Sequence, residues 1–328
     1  ILWPEAGPAE AAWQWWPMGT ACSWETTLGV ERIVPGRGTT GFAGVAALGG
    51  IVFVATAARA LRPVRARARL GGSGMILATP AAIAVGALCV LGVNLYAGLL
   101  IVLRAKRFRT PLYKPMLLNI VLSNVPIALA LIGFVVVLLA QIPVNRDEGL
   151  AWVGPTAFAL AAIVFVAFFP NSAYLITELN FSHRKEGDGV PMWFDIVMTL
   201  TLTMSGILNA IVSLSLVQTF LMFGFDIRGG IPPAPPAWTW VVAAGVLLLA
   251  CVGVWMGRMI RLNSWDIVLP WRLLAKLVRH LRQPGKVGEL LGFTVTHWVL
   301  LALLYTAVYA PVSMLVLSEI RLVAAVPR

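Results

Sequence analysis

Charged residues are scarce in this chain: they make up 12% of its 328 residues, whereas hydrophobic residues make up 59%. A soluble domain carries about twice that share of charge, so the composition excludes an ordinary soluble enzyme or binding domain. The apolar residues form continuous runs of roughly 18 or more, a length that crosses ~30 Å of hydrocarbon. These runs lack the alternation of barrel strands, and they therefore predict an all-α fold, a polytopic transmembrane helical bundle.

Cysteine and histidine are equally rare. Cys22, Cys89 and Cys251 lie far apart without a CxxC pair, and the three histidines are also separated. The sequence therefore indicates neither a disulfide framework nor the ligand spacing of a metal site, and no cofactor is evident. Phosphate-binding glycine loops, nucleophile elbows and zinc-protease helices are absent as well, so no soluble-enzyme chemistry is indicated.

The net charge of +11 would suggest a nucleic-acid partner in a soluble protein. Here the lysines and arginines lie between the apolar runs, where positive charge is typical of cytoplasmic loops. We therefore expect a lipid bilayer as the partner and no nucleic acid.

The apolar runs predict six to seven membrane spans. They also divide the chain into three segments, residues 1–38, 39–74 and 75–328. The spans are residues 39–61, 75–103, 115–142, 151–179, 192–223, 237–257 and 290–318. The first span is the weakest, because it is rich in glycine and alanine, and with its Arg-rich loop it forms a segment 39–74. Residues 1–38 are rich in tryptophan but show no helical or strand period, and we expect them not to span the membrane. Residues 75–328 form the transmembrane helical domain.

The distribution of Lys and Arg predicts the orientation of this domain. From Met75 onward, one side of the membrane carries fourteen Lys and Arg residues and the other carries four. The positive side is expected to be cytoplasmic, which places the loops 104–114, 180–191 and 258–289 there. The pattern is typical of a multi-pass protein of the bacterial cytoplasmic (inner) membrane.

Two polar clusters meet this same membrane face and form the candidate ligand-binding site. The first follows Pro170, a residue that kinks or ends a helix, and the second ends the sixth span. Their members are Asn171, Tyr174, Thr177, Glu178, Trp193, Asp195, Arg258, Arg261, Asn263, Ser264, Trp265 and Asp266.

Glu178 and Asp195 are the most informative of these residues. Acids in or beside a membrane span are costly unless they are paired, so each is a candidate functional group. Arg258 and Arg261 are natural counter-ions at the same face. A structural ion-pair network and a ligand site would both produce this pattern, and both interpretations remain open.

Small and polar residues also recur along the fifth span. Thr199, Gly206, Asn209 and Ser213 lie at helical spacing, and Asn119 and Asn124 occupy the third span. Such a stripe either lines a hydrophilic path or marks close helix–helix packing, and packing is the commoner case.

Residues 271–282 alternate leucines and valine with basic residues. The pattern predicts an amphipathic helix that lies in the membrane interface and binds anionic lipids.

Three motifs in order resemble a known family. They are PN-x-x-Y-x-x-T-[DE]-L at Pro170–Leu179, W-[FY]-D at Trp193–Asp195 and GR-x-x-R-x-NSWD at Gly257–Asp266. Together they resemble a bacterial integral-membrane family, domain of unknown function 1361, over roughly residues 95–274. Glu178 stands where the family pattern has Asp, which keeps the charge and lengthens its reach. The resemblance implies a common helical membrane fold and a shared polar face, without an activity to carry over.

Three hypotheses about function therefore remain. The first is binding or transport of a small polar or anionic ligand at the polar face. The second is a non-catalytic transmembrane subunit or assembly factor of a larger membrane complex. The third is a membrane enzyme that acts on a lipid head group with Glu178 or Asp195 as general base, although no nucleophile or metal set accompanies them.

Overall fold

The computed structural model of the chain describes residues 10–15, 18–26, 29–33, 78–144, 150, 152–180, 189–226, 232–260 and 270–324. Within these residues, six helices are long and apolar enough to cross a membrane. Their spanning parts are Ile83–Phe108, Lys114–Ala140, Val153–Leu179, Met192–Phe223, Ala237–Ile260 and Lys286–Ser318. The predicted helical bundle is thus confirmed, and the protein is a multi-pass membrane protein. The weak span 39–61 and its Arg-rich loop lie outside the described residues.

The described part of this domain contains eight α-helices, one 3-10 helix and one π-helical turn. They are α1 (Ala78–Phe108), α2 (Lys114–Val144), α3 (Val153–Phe168), α4 (Pro170–Ala173), a 3-10 helix (Tyr174–Asn180), α5 (Met192–Asp226), α6 (Ala237–Trp255), a π-helical turn (Met256–Ile260), α7 (Pro270–Leu281) and α8 (Lys286–Ala324). Helices are the form that satisfies every backbone group inside lipid, which is why the apolar runs adopt them.

Three strands precede the helices, which the absence of a strand period did not predict. They are β1 (Glu10–Trp15), β2 (Met18–Thr26) and β3 (Gly29–Ile33), and they form an antiparallel sheet in the order β1-β2-β3. Trp15 pairs with Met18 and Thr26 pairs with Gly29, so only two residues separate each pair of strands. Pairing between sequence neighbours supplies the backbone hydrogen bonds without an alternating pattern, because strand formation depends strongly on context. The strands belong to a compact unit Ile1–Val85, and a second unit comprises Gly86–Arg328.

The third span is interrupted at Phe169, next to Pro170, and changes its helix type at Tyr174. Phe169 keeps helical backbone angles (φ −56°, ψ −35°), and α4 continues for one turn before the chain tightens into the 3-10 helix. The freed polar groups find partners on other helices. The Ser172 hydroxyl donates to the Ser123 carbonyl oxygen at 2.7 Å, and the Thr203 hydroxyl donates to the Leu175 carbonyl oxygen at 3.3 Å.

Two glycines let this irregular segment lie deep in the bundle. A Cβ atom on Gly206 of α5 would approach the Ser172 carbonyl oxygen to 2.6 Å. A Cβ atom on Gly253 of α6 would approach the Pro170 ring to 2.6 Å. Only glycine permits these contacts, so the small residues of the spans allow the close approach that membrane helices need.

The buried core lies where α3, α4, α5, α6 and α8 meet. Its largest members include Phe165, Phe169, Leu214 and Tyr305. Many large apolar residues elsewhere on the spans are exposed, such as Leu95 at 66% and Leu303 at 66%. In a spanning helix these outward residues contact lipid, so they are the expected outer surface of the bundle.

The predicted amphipathic helix is present as α7. It lies between α6 and α8 in the chain and connects the ends of two spans on the same membrane side. Its residues Trp271, Leu274 and Val278 are spaced as one helical stripe and are exposed.

Candidate functional site

Successive spans run in opposite directions, so the ends of α1, the 3-10 helix and α6 are assigned to the same membrane face. Polar side chains converge at this face. Asp195 lies in the first turn of α5, and Arg104 lies in the last part of α1. Asn119 is five residues into α2, about 8 Å along the helix from its start. Glu178 thus lies near the end of one span and Asp195 near the start of the next, and their grouping in one ligand site stays a prediction.

Asp195 is held by Arg104 inside the bundle. The Asp195 residue is fully buried, and the Arg104 Nε atom lies 2.9 Å from its Oδ1 atom. Arg104 is itself 6% exposed, and its Nη1 atom donates to the Thr110 hydroxyl at 3.1 Å. The Thr199 hydroxyl donates to the Asp195 backbone carbonyl at 2.8 Å. Because the carboxylate sits at the start of α5, the helix dipole also favours its negative charge.

Glu178 has a different environment, in which only one of its two carboxylate oxygens has a hydrogen-bond partner among the described residues. The residue is 4% exposed, and its Oε1 atom accepts a bond of 3.3 Å from the Asn119 side-chain amide. Its Oε2 atom is buried and has no hydrogen-bond partner among the described residues. Arg258 lies near enough to act electrostatically on this carboxylate. Leaving a buried carboxylate oxygen without a donor is costly, so this atom requires an explanation.

The backbone around Glu178 and Arg258 is irregular on both sides. Glu178 lies on the 3-10 helix, and Arg258 lies on the π-helical turn at the end of α6. The Tyr174 ring packs against Gly257, where a Cβ atom would lie 3.4 Å from the ring. Short 3-10 segments are common at the ends of α-helices, whereas π-helical turns are rare and occur frequently at functional sites.

The remaining predicted residues take more ordinary positions. Asn171 is half-buried on α4, and the Thr177 hydroxyl donates to the Tyr174 carbonyl of its own helix at 2.8 Å. Trp193 is 44% exposed and packs edge-on against Phe194, with ring centroids 5.7 Å apart. The other predicted residues lie outside the described residues: Arg261, Asn263, Ser264, Trp265 and Asp266.

Arg104 is the principal site residue that sequence reasoning missed. The sequence analysis expected Arg258 and Arg261 as counter-ions for both acids, whereas Asp195 pairs with Arg104 of α1. The signal was present, because Arg104 ends a span on the same membrane side as Asp195. Five basic residues crowd the loop 104–114, however, and nothing in the pattern shows which of them turns inward.

A second polar network ties the helices together in the middle of the bundle. Asn94 of α1 and Asn209 of α5 form a reciprocal amide pair, with both bonds at 2.9 Å. Asn209 also donates to the Ser123 hydroxyl at 2.8 Å, and Asn124 donates to the Asn94 carbonyl oxygen at 3.0 Å. The network connects α1, α2 and α5, and Ser172 extends it to α4 through its bond to Ser123.

This network explains the small and polar stripe on α5. Thr199, Asn209 and Ser213 are each fully buried, and the Ser213 hydroxyl bonds to the Ala210 carbonyl of its own helix. Gly206 forms the close contact with the 3-10 segment. The stripe therefore lies in helix interfaces, in agreement with the packing interpretation.

Over the described parts of the chain, no three His, Cys, Asp or Glu side chains come together as metal ligands. Among the described residues, the groups around the two acids are the Glu178 and Asp195 carboxylates, the Arg104 and Arg258 guanidinium groups and the Asn119 amide.

The comparisons with known proteins give one match. A family model described as "Protein of unknown function (DUF1361)" matches residues 118–305, more than half of the chain. The match confirms the resemblance and corrects its extent, since it begins within α2 and continues into α8 beyond residue 274. No curated protein and no solved structure matches the chain.

Proposed function

The chain belongs to the DUF1361 family of proteins of unknown function, and from its own geometry we propose that it binds a small polar ligand at one membrane face. The observation that carries this proposal is the buried Glu178 Oε2 atom without a hydrogen-bond donor. Most buried polar atoms in proteins have partners, and the exceptions are often places where a ligand supplies the missing bond.

The charges around this atom indicate what the ligand must offer. A hydrogen-bond donor such as an ammonium, amide or hydroxyl group would satisfy Glu178 Oε2. The Arg258 guanidinium, which acts electrostatically on Glu178, favours an anionic oxygen on the same molecule, because a guanidinium pairs strongly with carboxylate or phosphate. Arg258 is only half-buried, so a ligand entering from the membrane face would meet it before the buried Glu178 carboxylate. A small ligand that carries both a donor and an acidic group fits this pair.

Binding is better supported than transport across the bundle. The Asn94–Asn209 pair is bonded in both directions, and Asn209 is fully buried. A polar path from Asp195 through the middle of α5 would have to break these bonds. Asp195, the second acid, is already paired with Arg104. This pairing supports the interpretation that the ligand binds at Glu178 and not at Asp195.

We place this site on the cytoplasmic side of a bacterial inner membrane. The support is the excess of Lys and Arg in the loops 104–114, 180–191 and 258–289. Single cysteines at Leu112 and Trp152, in a background without native cysteines, test the orientation with a membrane-impermeant maleimide on intact cells. Labelling of Trp152→Cys alone is expected, and labelling of Leu112→Cys alone would reverse the assignment.

The binding proposal is tested by native mass spectrometry of the protein released from native-lipid nanodiscs. A bound small molecule is expected on the wild-type chain, with strong loss in Glu178→Gln and in Arg258→Gln. Glu178→Asp should weaken binding less, because it keeps the charge but shortens the reach. Glu289→Gln is the matched control, since Glu289 already pairs with Lys286 at 2.6 Å. If all four variants retain the same adduct, or the wild type carries none, the polar face is structural.

A further inference from the structure

A cavity lies between the π-helical turn and α7, apart from the Glu178 carboxylate. Its volume is about 200 Å³, and its lining residues are Met259, Ile260, Lys276, Arg279, His280 and Gln283. The first two belong to the end of α6, and the others belong to α7 and the turn that follows it. Among the described residues, this lining has two basic side chains, Lys276 and Arg279, and no carboxylate.

The basic residues of the cavity share one face of α7. Lys276, Arg279 and His280 are three and four residues apart, so their side chains lie on neighbouring turns of the same surface. The His280 Nε2 atom is shielded from solvent and has no hydrogen-bond partner among the described residues. Its ring packs edge-on against Trp255, with centroids 5.5 Å apart, which fixes the imidazole beside the cavity.

Glu289 lies within electrostatic range of His280, but its carboxylate is paired with Lys286 at 2.6 Å. An anion entering the cavity would therefore meet Arg279 and His280, while Glu289 is already engaged by Lys286. Phosphate is the anion best suited to such a set, because guanidinium and imidazole N–H groups donate directly to its oxygens.

The opposite side of α7 identifies the source of that phosphate. Trp271, Leu274 and Val278 form a stripe on the other side of the helix and are 64%, 58% and 39% exposed. In an interfacial helix such a stripe is covered by acyl chains, so the cavity lies at the level of the lipid headgroups.

We propose that this cavity binds the phosphate of one anionic phospholipid headgroup, held by Arg279 and His280, with Lys276 adding positive charge. The site goes beyond the general attraction of a basic helix for an anionic leaflet, because it requires particular side chains. It is also independent of the ligand proposed for Glu178.

The test titrates the full chain in non-ionic detergent with phosphatidylglycerol or phosphatidylcholine and counts bound lipid by native mass spectrometry. One phosphatidylglycerol is expected to bind at a lower lipid concentration than phosphatidylcholine.

Arg279→Gln should weaken the binding of phosphatidylglycerol roughly tenfold to hundredfold, as the loss of a charge-assisted hydrogen bond does. Arg282→Gln makes the same charge change one residue beyond the helix without lining the cavity, and should weaken binding about fivefold or less. His280→Phe provides a second variant that keeps the ring packing and removes the donor, and it should also weaken binding.

Three results would overturn the proposal. Equal losses in Arg279→Gln and Arg282→Gln would show general attraction only. Equal binding of the two lipids would show that headgroup charge is irrelevant. Displacement of phosphatidylglycerol by inorganic phosphate at comparable concentration would assign the cavity to a soluble phosphate.

Discussion

The Arg104–Asp195 pair provides the most decisive test of the bundle. Replacing Asp195 with Asn, or Arg104 with Met, leaves a buried charge without its partner. The two charged groups are 2.9 Å apart, and at an effective dielectric constant of 20 their attraction is roughly 6 kcal/mol before desolvation is subtracted. Breaking one side of such a buried pair generally destabilises a protein by about 3–5 kcal/mol. We expect each single variant to lower the free energy of unfolding by that amount.

The double variant Arg104→Met/Asp195→Leu separates pairing from packing. With both charges removed, no unpaired ion stays buried, so the double variant should lose less stability than either single variant. Arg107→Met is the matched control, because Arg107 lies on the same helix and is exposed. A substitution at such a surface position should change stability by about 0.5 kcal/mol or less.

Unfolding in mixed micelles with increasing SDS, followed by tryptophan fluorescence, measures these free energies. The reasoning is refuted if each single variant costs less than about 1 kcal/mol, or if the double variant loses the sum of the two single losses. Either outcome would mean that the pair contributes no coupling and that the acid at position 195 is solvated in the native state.

Two further predictions use the same unfolding measurement. Asn209→Ala should lower the free energy of unfolding by about 2 kcal/mol, because interhelical bonds in membranes contribute roughly 0.6–1.7 kcal/mol and Asn209 takes part in bonds to both Asn94 and Ser123. Ser213→Ala removes a bond within one helix and should lower it by well under half of that amount. Equal losses would argue against the cross-helix network. Gly206→Ala should lower the free energy of unfolding by about 1–3 kcal/mol through overpacking. Gly245→Ala should leave it unchanged, because no atom lies within 4 Å of the added Cβ. An unchanged free energy of unfolding for Gly206→Ala would show that the 3-10 segment shifts freely.

The local character of membrane spans explains why the fold was predictable. Whether a segment crosses the bilayer depends on its own length and composition, and the predicted spans 192–223 and 290–318 are helical as expected. The amphipathic helix α7 was predictable for the same reason, since its two faces are encoded by helical spacing alone. The strands β1–β3 were not, because their hydrogen bonds come from pairing rather than from a pattern within one strand.

The candidate site was predictable only in part. Glu178 and Asp195 stood out as acids next to apolar runs, and the alternation of spans placed them at one membrane face. Their partners did not stand out in the same way. Arg104 was one of several basic residues in its loop, and Asn94 was a single amide in an apolar run.

The sequence by itself determined that this is a helical membrane protein and where the six spans within the described residues lie. Tertiary structure alone decided which polar groups pair. Asp195 meets Arg104 across 91 residues, and Asn94 meets Asn209 across 115 residues. These pairings depend on how each helix is rotated and how closely it packs against its neighbours. Contacts such as that of Gly206 with the Ser172 carbonyl and Leu175 control both. The same packing leaves one oxygen of Glu178 without a donor among the described residues, and no pattern within a single helix contains that information.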